Sequence, residues 1–369
     1  MKAIQWIISA LVAVVIIAAA VGGGVYFTRL KSIHSIRKLT DYENYNLYRM
    51  DIDYAYDLDR LIDRGITDNQ SMINAILAEA LPYLPIHMKA PNFGCSAFCT
   101  QGTDGHTLMG RNYDFKNDTS AMLVYCTPKD GYASVAFAAL DNINANTPDA
   151  SMAKKLATLT APFICLDGMN EKGVSIAVLT LDSDPTYQQT GKPMIATTLA
   201  IRLVLDRAAT TAEAVELLSK YDMFASSGRD YHFYITDASG DGRVLEYDCN
   251  DLARPLTVTP SRSVTNFFVM YKDNVLPNQR NGVYGHGRER YDAIEEILDA
   301  NAGSIDREIA WQALQAASQA PNPQDVTSNT QWSILYDNTA LTAEAVIRRD
   351  WNTKTSYDLV SNVAVTDVS

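Results

Sequence analysis

The sequence predicts an α+β fold in which largely antiparallel sheets carry helices on their outer faces. Three observations point to it. Strand-length apolar runs follow one another across tight turns, as in "CSAFC", "TLMGRNYDF" and "AMLVYC". Amphipathic helical stretches are grouped between those runs, so the order is strands, helices, strands, helices, strands, and hairpins outnumber βαβ units. The 369 residues, 47% hydrophobic and 20% charged, are enough for a sizeable core.

Taken in order, residues 6–27, "WIISALVAVVIIAAAVGGGVYF", carry no charge. As a helix they would extend about 33 Å, enough to cross a hydrocarbon core of about 30 Å. With Lys2 as a basic start and "AAA" at 18–20, the same stretch also reads as a removable signal peptide. Arg29, Lys31, Arg37 and Lys38 follow the span and argue for a cytoplasmic following side. The very short tail before it argues for export, and export is the expectation. Residues 1–30 are therefore read as a signal anchor or signal peptide, with membrane association through 6–27. The body would be membrane-anchored or secreted, on the extracytoplasmic face.

Next, "NYNLYRMDIDYAYDLDRLID" suggests a strand turning into a short helix. Thr67 or Asp68 caps an expected helix in "DNQSMINAILAEALPYL", which Pro82 and Pro85 end. "HMKAPNFG" reads as a linker. From Cys95 the pattern turns to strands: a hairpin across "GTDG", then "AMLVYC" and "ASVAFAAL" across "PKDG", then "GVSIAVLTL". Ile195, Leu199 and Leu203 share a helical face, and Thr210 with Glu213 forms a capping box before a second helix. "YHFYIT" and "RVLEYD" make a hairpin, "SVTNFFVM" reads as a strand, and Tyr291, Ile294 and Leu298 stripe a helix. A helix near 305–318 and a terminal meander close the chain.

Charge narrows the function. The net charge is −12, and residues 1–94 are balanced, with 9 basic and 9 acidic side chains, so the remainder carries all of it. A body this acidic repels phosphate backbones, which argues against nucleic-acid binding. Five cysteines (Cys95, Cys99, Cys126, Cys165, Cys249) are too few for a disulfide scaffold, and their odd number leaves at least one thiol free. No Cys-x-x-Cys or histidine cluster suggests zinc, and no metal or organic cofactor is expected.

The chemistry-bearing stretch is "GCSAFCTQGTDGHTLMGRNYDF". Positions 95, 97 and 99 share a strand face, and the hairpin returns Arg111 or Asp114 beside Cys95. A cysteine near an arginine has its thiolate favoured, and the thiolate is the nucleophile. The plain alternative is two buried thiols and a structural ion pair.

This stretch resembles the start of the mature chain in the choloylglycine hydrolase, penicillin V acylase and acid ceramidase group of N-terminal-nucleophile amide hydrolases. There a cysteine opens the mature chain, with an arginine sixteen and an aspartate nineteen positions on. Counted from Cys95 these are Arg111 and Asp114; counted from Cys99 both are missed. "DGMNEKGVSIAVLTLD" (167–182), "YHFYITDASGDGRVLEYD" followed by "SVTNF", and "GRERYDAIEEIL" are similar to further segments of the group, in the same order. The resemblance covers about residues 95–340. It implies a four-layer αββα sandwich over 95–369, and a propeptide over 31–94 removed by self-cleavage at Gly94–Cys95, with its non-covalent association afterwards left open. It also implies roles for Asn266, for Arg290 in preference to Arg288, and for a backbone N–H near Thr180 in an oxyanion hole.

The implied activity is hydrolysis of a linear carbon–nitrogen amide bond in a small N-acyl compound. A free Cys95 α-amine, with an ordinary pKa of about 7.7–8.0, would take the thiol proton. The substrate classes the resemblance brings are bile salts, penicillin V, N-acyl amino acids and acylethanolamides. Thr180 stands where several bile-salt enzymes carry an asparagine, which weighs against bile salts. Two rivals make different predictions: a thiol peptidase pairing Cys95 or Cys99 with His106 or His232, and a non-catalytic, membrane-tethered binding protein with the Gly94–Cys95 bond intact. A homo-oligomer is left open.

Overall fold

The computed structural model describes residues 23–82, 94–280, 282–325 and 328–368. The expected linker before Gly94 and most of the expected span at 6–27 lie outside them; residues 23–34 form a helix. Among the described residues no helix is long and apolar enough to cross a membrane.

Two sheets dominate, one of nine strands and one of seven. In the seven-stranded sheet, Gly94–Gln101 pairs antiparallel with Thr107–Asp114 across the "GTDG" turn, and Cys95 stands opposite Tyr113. Thr107–Asp114 pairs in turn with Thr330–Asp337, and the C-terminal meander Thr342–Ile347, Thr353–Asp358, Val363–Val368 continues to the edge. The nine-stranded sheet has Ser175–Leu181 paired with Asp230–Thr236, and Thr180 stands opposite Tyr231.

The alternation of side chains across each strand decides what each layer holds. On the outer face of the seven-stranded sheet, Phe98, Leu108, Leu335 and Val346 pack against Ile294, Leu298, Trp311 and Leu314 of the helices Arg288–Ala300 and Arg307–Ala317. The helix Thr197–Arg207 covers the nine-stranded sheet and lies against Cys165–Asn170. Gly168 permits that approach: a Cβ there would come within 2.7 Å of Leu205 Cδ1. Between the sheets Tyr113 stacks on Trp332, ring centroids 4.0 Å apart. The layer order is helix, sheet, sheet, helix, as the resemblance implied.

The sheets are not wholly antiparallel. Leu47–Ile52 joins the nine-stranded sheet parallel to Ala121–Cys126, and Met194–Ala196 pairs parallel with Asp222–Phe224. Residues 42–54 are thus woven into the body. Leu47 and Met50 are fully buried, the Tyr54 hydroxyl donates to the Leu159 carbonyl (2.6 Å), and the Tyr42 hydroxyl donates to Asp350 (2.8 Å). The helix Asn69–Ala80 is capped by Asp68, which accepts from the Ser71 amide.

One expected strand is corrected. Of "SVTNFFVM" only Ser263–Val264 is strand, and Val269–Asn274 is a short 3₁₀ turn. The intervening residues leave the sheet: the Thr265 carbonyl faces His232 Nε2, and Phe267 makes only an isolated antiparallel bridge to Gly285, with the Asn266 carbonyl accepting from the His286 amide. The expected capping box at Thr210 is half formed: Thr210 accepts from the Glu213 amide, while Glu213 accepts from the Ala209 amide.

Candidate active site

Cys95 is fully buried at the start of its strand, and its thiol is free. Odd-numbered residues of the hairpin point toward the nine-stranded sheet, so Arg111 shares a face with Cys95. Arg111 Nε lies 2.8 Å from Asp167 Oδ2, and Nη2 donates to the Val178 carbonyl (3.0 Å). Asp167 also accepts from Tyr336 (2.6 Å) and Trp332 (3.1 Å), so the fully buried guanidinium is held in one place.

Asp114 ends the second strand of the hairpin, opposite Gly94. Its oxygens accept from Thr330 Oγ1 (2.6 Å) and Gln319 Nε2 (2.8 Å), and Arg290 Nη1 lies 3.6 Å away. Arg290 in turn donates to the Cys95 carbonyl (2.9 Å) and to Asn266 Oδ1 (2.7 Å). That Oδ1 also accepts from the Cys95 backbone nitrogen at 3.2 Å. The nitrogen that would become an α-amine is therefore already held by Asn266. Asn266 Nδ2 donates to the Thr180 carbonyl (2.9 Å), which leaves its second hydrogen for another acceptor. Arg288 instead pairs with Asp292 (2.7 Å) and donates to the Lys272 carbonyl, so Arg290 is the arginine at the nucleophile.

Electrostatics follow from burial. Desolvation pushes the Cys95 thiol up to about 11, against the pull of Arg111 and with a push from Asp114. Desolvation also raises the Asp114 carboxyl, against the pull of Arg290, Thr330 and Gln319. With the chain uncut, the thiol is protonated at neutral pH.

The residues Cys95, Arg111, Asp114, Asn266, Arg290 and Thr180 come together in one place. Neither candidate histidine joins them. His106 Nδ1 contacts Asp337 (2.8 Å) at the turn end of the hairpin, about 20 Å along the strands from Cys95 at 3.3 Å per residue. His232 has both ring nitrogens engaged, by Glu246 and the Thr265 carbonyl. The Cys99 thiol accepts from Thr236 (3.1 Å). A Cys–His pair is absent among the described residues. An open cleft of about 520 Å³ lies elsewhere, lined by Tyr56, Asp59, Arg60, Asp130 and Arg207, and includes none of the site residues.

Sequence reasoning missed Asp167, Gln319 and Thr330. Asp167 opens the "DGMNEKG" segment and was within reach; Gln319 and Thr330 follow a helix in ordinary polar sequence and gave no signal.

Residues 95–254 match the family model described as linear amide C-N hydrolases, choloylglycine hydrolase family, and the match opens at Cys95. A variant of the conjugated bile acid hydrolase from Clostridium perfringens has a similar fold, with TM-score 0.55 and 16% identity over 74% of this chain and 97% of that one. Penicillin V acylase from Agrobacterium tumefaciens is similar at TM-score 0.53 and 18% identity, over 72% of this chain and 86% of that one.

Proposed function

Starting from the match of residues 95–254 to the choloylglycine hydrolase family of linear amide C-N hydrolases, we propose that the chain is such a hydrolase and that Cys95 is an N-terminal nucleophile released by self-cleavage after Gly94. The observation that carries this reading is the hold of Asn266 Oδ1 and Arg290 on the Cys95 backbone, with no histidine at the thiol among the described residues. A base is needed, and the backbone nitrogen is the group in place to become one. Once freed, the amine takes the thiol proton near neutral pH. Arg111 favours the resulting thiolate, which attacks the amide carbonyl of an N-acyl compound. The carbonyl oxygen becomes an oxyanion that receives the second Asn266 Nδ2 hydrogen, with a backbone N–H near Thr180 beside it. One such donor is worth about 2.7–4 kcal/mol of barrier. The ammonium returns its proton to the departing amine, a thioester remains, and water releases the acid.

Residues 31–94 act as a propeptide that remains docked after cleavage, a reading supported by the parallel strand Leu47–Ile52. The uncharged run at 6–27 supports an extracytoplasmic, membrane-anchored or secreted location. The test is mass spectrometry of purified protein together with a panel of conjugated bile salts, phenoxyacyl β-lactams, N-acyl amino acids and acylethanolamides. A fragment beginning at Cys95, absent in Cys95→Ala, together with release of a free acid, is the expected result. An uncut chain that hydrolyses amides overturns it.

A further inference from the structure

His232 and Glu246 are each fully buried and stand on neighbouring strands of the nine-stranded sheet. A buried acid–histidine pair is costly to desolvate and is retained where its hydrogen bonds hold something. Here both partners reach out of their own sheet to a single irregular segment. His232 Nε2 lies 2.9 Å from the Thr265 carbonyl, which can only accept, so that nitrogen carries a proton. His232 Nδ1 lies 3.0 Å from Glu246 Oε1. Glu246 Oε1 accepts from the Val269 amide (2.7 Å) and Oε2 from the Met270 amide (3.0 Å). The pair therefore ties down residue 265 at one end and residues 269–270 at the other. Asn266 sits between them, in backbone that has left the strand Ser263–Val264; on one side its carbonyl accepts from the His286 amide (2.9 Å) beside an isolated bridge of Phe267 to Gly285, and on the other the His232–Glu246 pair holds the flanking residues. The clamp continues: Thr265 Oγ1 donates to the Gly287 carbonyl (2.9 Å), one turn before Arg290.

We propose that His232 and Glu246 are positioning residues for Asn266, holding its side-chain amide between the Cys95 nitrogen, Arg290 and the Thr180 carbonyl through the Thr265–Met270 backbone. The inference rests on the reading of Asn266 as a transition-state donor. His232 touches neither Cys95 nor any group expected to react, so its effect passes entirely through the segment. A displacement of about 1 Å at such a donor is enough for losses up to about 100-fold.

The test is a double-mutant cycle on the processed enzyme with one N-acyl amide substrate, using His232→Gln, Glu246→Gln and Asn266→Ala. In the wild-type background, His232→Gln and Glu246→Gln each lower kcat about 10- to 100-fold, with KM changed less than about threefold. In the Asn266→Ala background the same changes cost less than about threefold, because the group they position is gone. If they cost the same factor in both backgrounds, they act on general stability and the positioning role is wrong. If Asn266→Ala itself retains full kcat, the assignment of Asn266 fails and the positioning role fails with it. Melting temperature is read alongside. Should His232→Gln not accumulate as folded protein, Glu246→Gln carries the cycle, since it keeps the side-chain shape and one acceptor for the 269–270 amides.

Discussion

At the Cys95 sulfur, burial and Arg111 act in opposite directions, and burial wins, leaving a thiol at about 11. Alkylation makes this measurable. In a variant locked against cleavage, Cys95 should react slowly with iodoacetamide at pH 8 and faster as pH rises toward 11; a processed enzyme should react readily near neutrality. Asn266→Ala should lower kcat by about 10²–10³ with folding intact, as loss of one oxyanion donor does elsewhere; steady-state kinetics will show it. Arg111→Met leaves Asp167 buried with its countercharge removed, although Tyr336 and Trp332 still donate. A loss of about 3–5 kcal/mol by urea denaturation is expected. Adding Asp167→Asn in the same chain should recover part of it, because the uncompensated charge is then gone.

At the scale of elements, two glycines shape the approach to the site. Gly287 precedes the helix Arg288–Ala300 with φ +87°, and a Cβ there would collide with the Arg290 guanidinium. Gly285 has φ +102°, and its Cβ would strike the Asn266 carbonyl. Gly287→Ala should therefore cost about 1–2 kcal/mol for the left-handed backbone and also lower kcat, whereas Gly303→Ala, with a similar φ of +83° and open space around it, should cost stability alone. Equal kinetics for the two variants would refute the link. The glycines stand plainly in "GVYGHGRER", yet nothing in that string shows what they face. The hairpin around "GTDG" was legible because turn chemistry and alternation agree. Cys165–Asn170 was missed as a strand, since Pro162 and Gly168 break the pattern, although its neighbours Ser134–Ala139 and Ser175–Leu181 are close in the chain. "SVTNFFVM" misled for the opposite reason: its apolar run looks like a strand, but the backbone around Asn266 is held by His232, by Glu246 and by a single bridge to Gly285 instead of by a ladder. Of the site, the family resemblance gave Arg111 and Asp114 through their distance from Cys95, and Asn266, Arg290 and Thr180 through its later segments; the supporting Gln319 and Thr330 arrive through tertiary packing alone.

For the whole molecule, burial sets the response to alkaline pH. Cys95, Cys99 and Cys126 are all raised to about 11 by desolvation, from an ordinary value near 9. The unfolded chain loses these protons first, so their contribution to stability is complete below pH 9 and is lost as pH rises through 11. Urea midpoints measured from pH 8 to 11 should fall steadily, and Cys126→Ala should flatten the slope if this linkage is correct. The segment before Cys95 also belongs to this scale. Its hydrogen bonds to Leu159 and Asp350, and those of Tyr56 to Asp206, tie it to both halves of the body. A nicked enzyme should elute as one species on gel filtration and separate only in denaturant.

The parallel pairing of Leu47–Ile52 with Ala121–Cys126 has a consequence for manufacture of the enzyme. A gene shortened to begin at Cys95 would present Ala121–Cys126 as an uncovered rim of amides and carbonyls above an apolar surface, the arrangement that recruits foreign strands and precipitates. Such a truncated product should collect in inclusion bodies, and a separately supplied 31–94 polypeptide should keep it in solution.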